Sequence, residues 1–295
     1  MTNWNLYALL LLPVVYLLVF KYYPMYGAQI AFKDFRISRG IAGSDWVGFK
    51  HFTNFFRNYQ FGRILTNTLG INIYMLVAGF PMPILLALML NYLSSNRFRK
   101  IVQMVTYAPY FISVVVMVAL VLQFTGQRSG LINNLIEKLG GKRMDFMGNA
   151  SMFWSIYVWS GIWQNTGYGS VIFIAALSGV DMQLHEAAIV DGASVVKRII
   201  HIDLPSIAPT IVILLILRCG NIINVGFEKT LLMQNPLNLS TSEVISTYTY
   251  KVGLASGSNQ FSYAAAVGLF TSFVNFVMLI IVNTFARSIS ETSLF

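Results

Sequence analysis

Six long runs of apolar residues constrain the fold of this chain more than any other feature. They lie at roughly residues 5–24, 65–92, 104–124, 151–177, 206–227 and 261–286. A helix needs about 20 apolar residues to cross the hydrocarbon core of a bilayer, and each run has that length. Backbone polar groups in lipid must be satisfied within their own segment, so every run is predicted to be a helix. The expected fold is an all-α membrane protein with six transmembrane helices.

The composition agrees with this class and excludes several others. Hydrophobic residues make up 56% of the chain and charged residues 11%, against about 25% charged in an ordinary soluble domain. The single cysteine, Cys219, excludes an internal disulfide and a cysteine metal cluster. The three histidines, His51, His185 and His201, are too dispersed to suggest a metal site. The first run lacks a basic region before it and a small-residue cleavage motif after it, so we expect a span rather than a cleavable signal.

The spacing of the runs predicts two regions. Residues 1–63 would hold the first transmembrane helix and an external amphipathic segment, in which Phe49, Phe52 and Phe56 share a helical face. Aromatic and basic residues in such a segment are typical of the membrane interface, with a ligand-binding surface as the alternative. Residues 64–286 would form the membrane core, where glycines such as Gly167 permit close helix approach.

Motifs for catalysis are missing from the sequence. Gly140-Gly-Lys-Arg143 lacks the hydroxyl and the strand-to-helix context of a phosphate-binding loop. His185-Glu186-Ala-Ala-Ile189 begins like a zinc-protease helix but has isoleucine in place of the second histidine. We therefore expect no catalytic residue, no metal site and no cofactor in this chain. The net charge of +9 is scattered between apolar runs, which argues against nucleic acid and favours anionic lipid or an anionic solute.

The segment between the fourth and fifth apolar runs, Glu186 to Pro205, is the most specific motif. Helical spacing predicts two short helices with a turn at Gly192, and Pro205 is suited to the first turn of the next helix. The pattern Glu-Ala-Ala, three residues, Gly, nine residues, Ile-x-Leu-Pro resembles the EAA loop of permease subunits of ABC importers. The resemblance implies a cytosolic coupling loop at 181–205 that contacts an ATPase through Glu186, Ala187, Ala188, Asp191, Gly192, Ala193, Leu204 and Pro205. For Glu186 the alternative is a solvated carboxylate that stabilises a helix start.

Other stretches resemble the branch of type I carbohydrate importers that takes up complex oligosaccharides. They are Lys21-Tyr-Tyr-Pro-Met-Tyr-Gly27, Ile30-Ala-Phe-Lys-Asp-Phe35, Trp46-Val-Gly-Phe-Lys-His-Phe52, Phe227-Glu-Lys-Thr-Leu-Leu-Met-Gln-Asn-Pro236 and Val244-Ile-Ser-Thr-Tyr-Thr-Tyr250. The family implies the type I importer permease fold in a bacterial cytoplasmic membrane and a second homologous permease subunit, as a heterodimer or a second copy. It also implies two ATPase subunits that bind ATP and Mg, and an extracellular or periplasmic solute-binding protein. An importer for another solute, a secondary transporter and a membrane enzyme are the alternatives.

The orientation that the motif implies conflicts with the distribution of basic residues. With the EAA-like loop in the cytosol, the inner loops hold six Lys and Arg residues and the outer loops twelve, the reverse of the usual bias. We follow the motif because its match is specific, and relatives usually carry a basic arm before their first span. Whether such an arm precedes this sequence stays open. An acidic solute would also account for the external positive charge.

Two spans carry polar and aromatic residues suited to a sugar path, in which aromatic faces stack on sugar rings and amides bond hydroxyl groups. The fourth span places Tyr157, Gln164 and Tyr168 near one face and Trp159 with Trp163 on another, with an aromatic belt or helix packing as the alternative. In the fifth, Arg218, Asn221, Asn224 and Glu228 are predicted to lie near one face. Arg218 at membrane depth would face the path or pair with a neighbouring helix. A path-facing arginine predicts an acidic, uronate-containing oligosaccharide.

Overall fold

The computed structural model describes residues 4–255, 257 and 260–289. Almost all of its regular structure is helical. In chain order the α-helices are α1 Trp4–Leu17, α2 Tyr23–Met25, α3 Lys50–Phe56, α4 Phe61–Tyr74, α5 Pro81–Asn91, α6 Asn96–Tyr107, α7 Val114–Thr125, α8 Leu131–Lys138, α9 Phe153–Leu177, α10 Met182–Val190, α11 Val195–Arg198, α12 Leu204–Cys219, α13 Phe227–Met233, α14 Leu239–Ser242, α15 Ile245–Tyr250 and α16 Phe261–Ile289. Four π-helical turns (Leu18–Tyr22, Met75–Gly79, Ile199–Asp203, Lys251–Ala255) and three 3₁₀ turns (Tyr26–Phe32, Ala108–Phe111, Ala150–Met152) extend or join them.

The helices confirm the predicted membrane class. Among the described residues, four helical stretches are long and apolar enough to cross a bilayer: Leu6–Phe32, Phe61–Asn91, Val195–Cys219 and Phe261–Arg287. The number rises to six if each of two bent pairs is one span, namely Asn96–Phe111 with Val114–Thr125 and Ala150–Leu177 with Met182–Val190.

The third predicted span, 104–124, is not one straight helix, and that expectation was wrong. Its two parts meet at an angle of 102°. Pro109 supplies no N–H to continue the helix, and Ile112 is extended, with φ −76° and ψ 129°. The hydroxyl of Ser113 then accepts a hydrogen bond from the Val116 N–H and starts α7.

The fifth predicted span, 206–227, also ends earlier than expected. Helix α12 stops at Cys219, and the Gly220 N–H bonds to the Ile216 carbonyl as the chain turns. A Cβ on Gly220 would lie 2.9 Å from the Leu279 side chain, so the turn packs closely against α16. Arg218, Asn221, Asn224 and Glu228 consequently do not continue along one helical face.

The chain divides into two compact units, Met1–Gly62 with Ile245–Phe273 and Arg63–Val244 with Val274–Phe295. In the first unit, strands β1 (Lys33–Asp34) and β2 (Asp45–Trp46) pair antiparallel, with Lys33 opposite Trp46. An aromatic cluster lies beside them: the rings of Phe32 and Trp46 stack at 5.7 Å, and Phe49 and Phe52 contact Phe32. Phe55 is buried against Phe61, Tyr263 and Phe270.

The second unit is built around α9. Helix α5 packs along α9, where Ile84 and Leu88 meet Phe173 and Leu177 in a buried cluster. The helices approach most closely at glycines, as expected: a Cβ on Gly167 would overlap the Thr106 carbonyl oxygen, and one on Gly70 would overlap the Trp154 ring. This unit contains the candidate sites.

Candidate translocation cavity and coupling segment

A cavity of about 730 Å³ lies within the second unit. Its walls come from α4, α5 and the π-helical turn between them, the 3₁₀ turn Ala108–Phe111, α9, the end of α12, the turn that follows and α13. The apolar part of the wall includes Met75 and Phe173, and the polar side chains come mainly from α9 and from the end of α12 with the turn after it. The lining residues with a polar side-chain group are Asn72, Tyr110, Tyr157, Gln164, Asn165, Thr166, Tyr168, Arg218, Asn221, Asn224 and Lys229.

Six of the eight residues that the sequence singled out for a solute path line this cavity: Tyr157, Gln164, Tyr168, Arg218, Asn221 and Asn224. The other two lie elsewhere. The Trp159 ring is half exposed, and its Nε1 donates a 3.0 Å hydrogen bond to the Tyr74 hydroxyl. Glu228 is exposed on the first turn of α13. Arg218 and the two asparagines reach one wall because the chain turns after Cys219.

Two of the α9 residues that line the cavity also contact the segment between α6 and α7. The Gln164 amide donates a 3.0 Å hydrogen bond to the Ile112 carbonyl, in the break between α6 and α7. The Tyr168 ring stacks on Tyr110 with centroids 4.0 Å apart and planes 10° apart. Tyr157 is buried. The bend that the sequence did not predict therefore brings Tyr110 beside Tyr168 and forms a flat aromatic pair in the cavity wall.

Lys229 is a cavity residue that sequence reasoning placed in an external loop. Its Nζ donates a 2.9 Å hydrogen bond to the Tyr157 carbonyl and lies 4.5 Å from the centre of the Tyr157 ring. Among the described residues, neither Lys229 nor Arg218 has a carboxylate within 4.0 Å, and the cavity lining contains no Asp or Glu. The sequence did not predict this position for Lys229, because it directly follows Glu228. Nothing in the local sequence shows that Glu228 is exposed while Lys229 is buried.

The segment 181–205 folds as its spacing predicts, into two short helices with a turn at Gly192. The Asp181 side chain caps α10 by accepting from the Gln183 N–H, and Ser194 caps α11. Gly192 has φ +74°, and the Ala193 N–H bonds to the Ala188 carbonyl to close the turn. A π-helical turn leads into α12, where Leu204 begins the helix and Pro205 occupies its first turn.

Most residues expected to contact an ATPase are on the surface of this segment. Glu186, Ala187, Asp191 and Gly192 are exposed, and Ala188 and Ala193 are half-buried. Leu204 is half-buried and Pro205 exposed at the start of α12. Two adjacent alanines give a shallow surface that another protein can approach closely.

Comparison with known proteins identifies the family. Residues 79–291 match the model of the binding-protein-dependent transport system inner membrane component. The chain belongs to this family. It is 41% identical to protein LplB of Bacillus subtilis strain 168, over 98% of this chain and 91% of that protein. It is also 41% identical to the polygalacturonan/rhamnogalacturonan transport system permease protein YteP of the same strain, over 98% and 90%.

The permease fold is shared with solved structures. A chain of the crystal structure of a bacterial ABC transporter involved in the import of the acidic polysaccharide alginate superimposes with a TM-score of 0.90 and 40% identity, over 98% of this chain and 96% of that one. The bacterial alginate ABC transporter in complex with an alginate pentasaccharide-bound periplasmic protein gives a TM-score of 0.91 and 39% identity, over 99% and 97%. This chain is a multi-pass transport permease with the type I importer fold, and it works in a binding-protein-dependent system.

Proposed function

We propose that this permease translocates carboxylate-bearing oligosaccharides across a bacterial cytoplasmic membrane. The observation that carries the proposal is the charge of the cavity wall, which has two cations, Arg218 and Lys229, and no acidic side chain from the described part of the chain. Lys229 is buried, and a cation held away from water is costly unless an opposite charge accompanies it. A uronate carboxylate in the cavity would supply that charge, and arginine matches it with two parallel hydrogen bonds.

The remaining polar lining suits a sugar. The Tyr110 and Tyr168 rings offer flat faces for the apolar C–H side of a pyranose, and the Asn221 and Asn224 amides offer donors and acceptors for its hydroxyl groups. The names of the relatives support an acidic oligosaccharide, since one carries polygalacturonan and rhamnogalacturonan and another imports alginate.

Energy for transport would come from partner subunits. In this proposal two ATPase subunits bind ATP and Mg, and their closure moves the exposed 181–205 segment, with Glu186 pairing with a basic residue of the ATPase. A second permease of the same family completes the path by alternating access. A solute-binding protein delivers the oligosaccharide from outside.

The test is solute-stimulated ATP hydrolysis in proteoliposomes that contain the permeases, the ATPases and the solute-binding protein. A uronate oligosaccharide should stimulate hydrolysis more than a neutral oligosaccharide of equal length. Arg218→Gln and Lys229→Met should each raise the solute concentration for half-maximal stimulation about 10-fold or more, the effect of losing one charge-assisted hydrogen bond. Lys138→Gln, which removes an exposed charge from α8 outside the cavity, is the matched control and should respond like the wild type.

Other outcomes would point to the alternatives. Stimulation by neutral sugars alone would contradict the acidic solute and leave a neutral-sugar or other importer. Uptake that proceeds without the ATPases and follows an ion gradient would identify a secondary transporter instead.

A further inference from the structure

Helix α10 carries the Glu-Ala-Ala motif, yet it has little attachment to the rest of the second unit. His185 is the only buried side chain among its nine residues. The exposed side chains on either side of it include Leu184, Ile189 and Val190. His185 is therefore the best-placed side chain of α10 to transmit a displacement of this helix to the membrane spans.

His185 contacts a fully buried carboxylate. Its Nε2 lies 3.2 Å from Oδ1 of Asp203, whose side chain is 0% exposed. Asp203 is the last residue of the π-helical turn Ile199–Asp203 and immediately precedes α12. Irregular turns of this kind occur often at functional positions in helices.

Tyr92 completes the cluster from a third element. It follows the last residue of α5, and its hydroxyl donates a 2.6 Å hydrogen bond to the other carboxylate oxygen of Asp203. The Tyr92 ring meets the His185 ring edge to face at 6.3 Å, and the Arg198 guanidinium lies 5.3 Å from its centre. The end of α5, the helix α10 and the start of α12 thus converge on Asp203.

Packing alone does not explain a buried carboxylate at position 203. A carboxylate buried in an apolar core destabilises the fold unless its partners hold it well, and an apolar residue would fill the same space with less penalty. Apart from the His185 contact, Oδ1 of Asp203 makes no hydrogen bond within the described part of the chain. The neighbouring core is apolar, with Leu88, Leu177 and Ile207 packed together.

We propose that Asp203 is a positioning residue that clamps α10, through His185 and Tyr92, to the ends of two membrane spans. Along the chain, α10 is connected towards α12 by the turn at Gly192 and to α9 by an 80° bend. With the clamp, a displacement of α10 moves the end of α5 and the start of α12 together. This inference rests on the proposed coupling to an ATPase.

The test measures how much ATP the reconstituted complex hydrolyses per oligosaccharide imported, and compares this ratio between the wild type and two variants. Tyr92→Phe removes only the hydroxyl that bonds Asp203 and keeps the ring beneath Arg198, while Asp203→Asn removes the charge. Each should raise the ratio about 5-fold or more, the lower range of coupling between sites in proteins, with the amount of assembled complex unchanged. Ser206→Ala is the matched control, because this exposed hydroxyl bonds only the Ile202 carbonyl one turn back.

The effects of Tyr92→Phe and Asp203→Asn should be less than additive in the double variant, since both changes weaken the charge-assisted hydrogen bond between Tyr92 and Asp203. If Asp203→Asn fails to assemble, Tyr92→Phe decides the matter, because it leaves the carboxylate in place. A wild-type ratio in an assembled Tyr92→Phe complex would overturn the clamp while leaving the proposed function intact. A wild-type complex without solute-stimulated hydrolysis would overturn the proposed function, and the clamp with it.

Discussion

Lys229 is held against Tyr157 by two contacts, a hydrogen bond from Nζ to the Tyr157 carbonyl oxygen and a 4.5 Å approach to the centre of the Tyr157 ring. Neither contact neutralises the ammonium charge. Burial lowers the pKa of Lys229, which lies in α13 beyond the candidate spans, to about 8. A lysine in this state loses its charge within an experimentally accessible range.

The pKa of Lys229 predicts a pH dependence of transport. At pH 7 about nine tenths of Lys229 side chains would be charged, and at pH 9 about one tenth. The solute concentration for half-maximal ATPase stimulation by a uronate oligosaccharide should therefore rise as the pH rises from 7 to 9. The other titratable groups in the cavity lining are Arg218, Tyr110, Tyr157 and Tyr168.

Lys229→Arg is the control for this prediction, because arginine remains charged throughout the range. Its profile should be flat once normalised to the same complex with a neutral solute. Parallel profiles for wild type and Lys229→Arg would assign the pH dependence to another component.

Gly192 provides a second prediction, about the turn in the coupling segment. Its φ of +74° is strained for other residues, and a Cβ there would meet no atom within 4 Å, so a substitution acts through the backbone alone. Gly192→Val should abolish most solute-stimulated ATP hydrolysis, because a β-branched residue resists this conformation. Gly192→Asn should retain it, since asparagine tolerates left-handed backbone angles. Equal stimulation in both variants would show that coupling does not depend on this turn.

Local features predicted much of this fold. The apolar runs gave the helical membrane class because length and hydropathy alone decide whether a helix can cross a bilayer. The turn at Gly192 followed from one residue and its spacing. The bend at Ile112 and the early end of α12 did not follow, because tertiary contacts stabilise both: the Gln164 amide bonds the Ile112 carbonyl, and Gly220 packs against Leu279.

The same distinction applies to the candidate site. Helical spacing placed Tyr157, Gln164 and Tyr168 on one face, and all three line the cavity. Lys229 could not be found in this way. Its burial depends on contact with Tyr157 of α9, which is distant in sequence. The role of these residues in moving a solute stays a prediction.

The contact between α6 and α9 predicts a stability effect at Gly167. A Cβ at this position would overlap the Thr106 carbonyl oxygen, which is backbone and can move only with its helix. Gly167→Ala should destabilise the permease by ~1–3 kcal/mol, as overpacking does in other proteins. Gly179→Ala is the control, because its nearest neighbour is the Ala176 carbonyl at an ordinary 3.5 Å. Thermal unfolding of the purified permease in detergent would measure both, and equal midpoints would contradict the close approach.

The last prediction concerns the orientation of the chain in the membrane, for which the motif and the charge distribution predict opposite answers. The motif places 97–100 and 181–205 in the cytosol and 126–148 and 229–258 outside. The basic residues of all the outer loops, twelve against six in the inner ones, favour the reverse. In a Cys219→Ser background, Val190→Cys reports on the side of the membrane that holds 181–205, and Lys142→Cys on the side that holds 126–148. Both positions are exposed. An impermeant thiol reagent should label Lys142→Cys in intact cells. It should label Val190→Cys only in inverted vesicles stripped of peripheral subunits. Labelling of Val190→Cys in intact cells would place the exposed Glu-Ala-Ala surface outside, where no ATP is available, and would refute ATPase coupling through this segment.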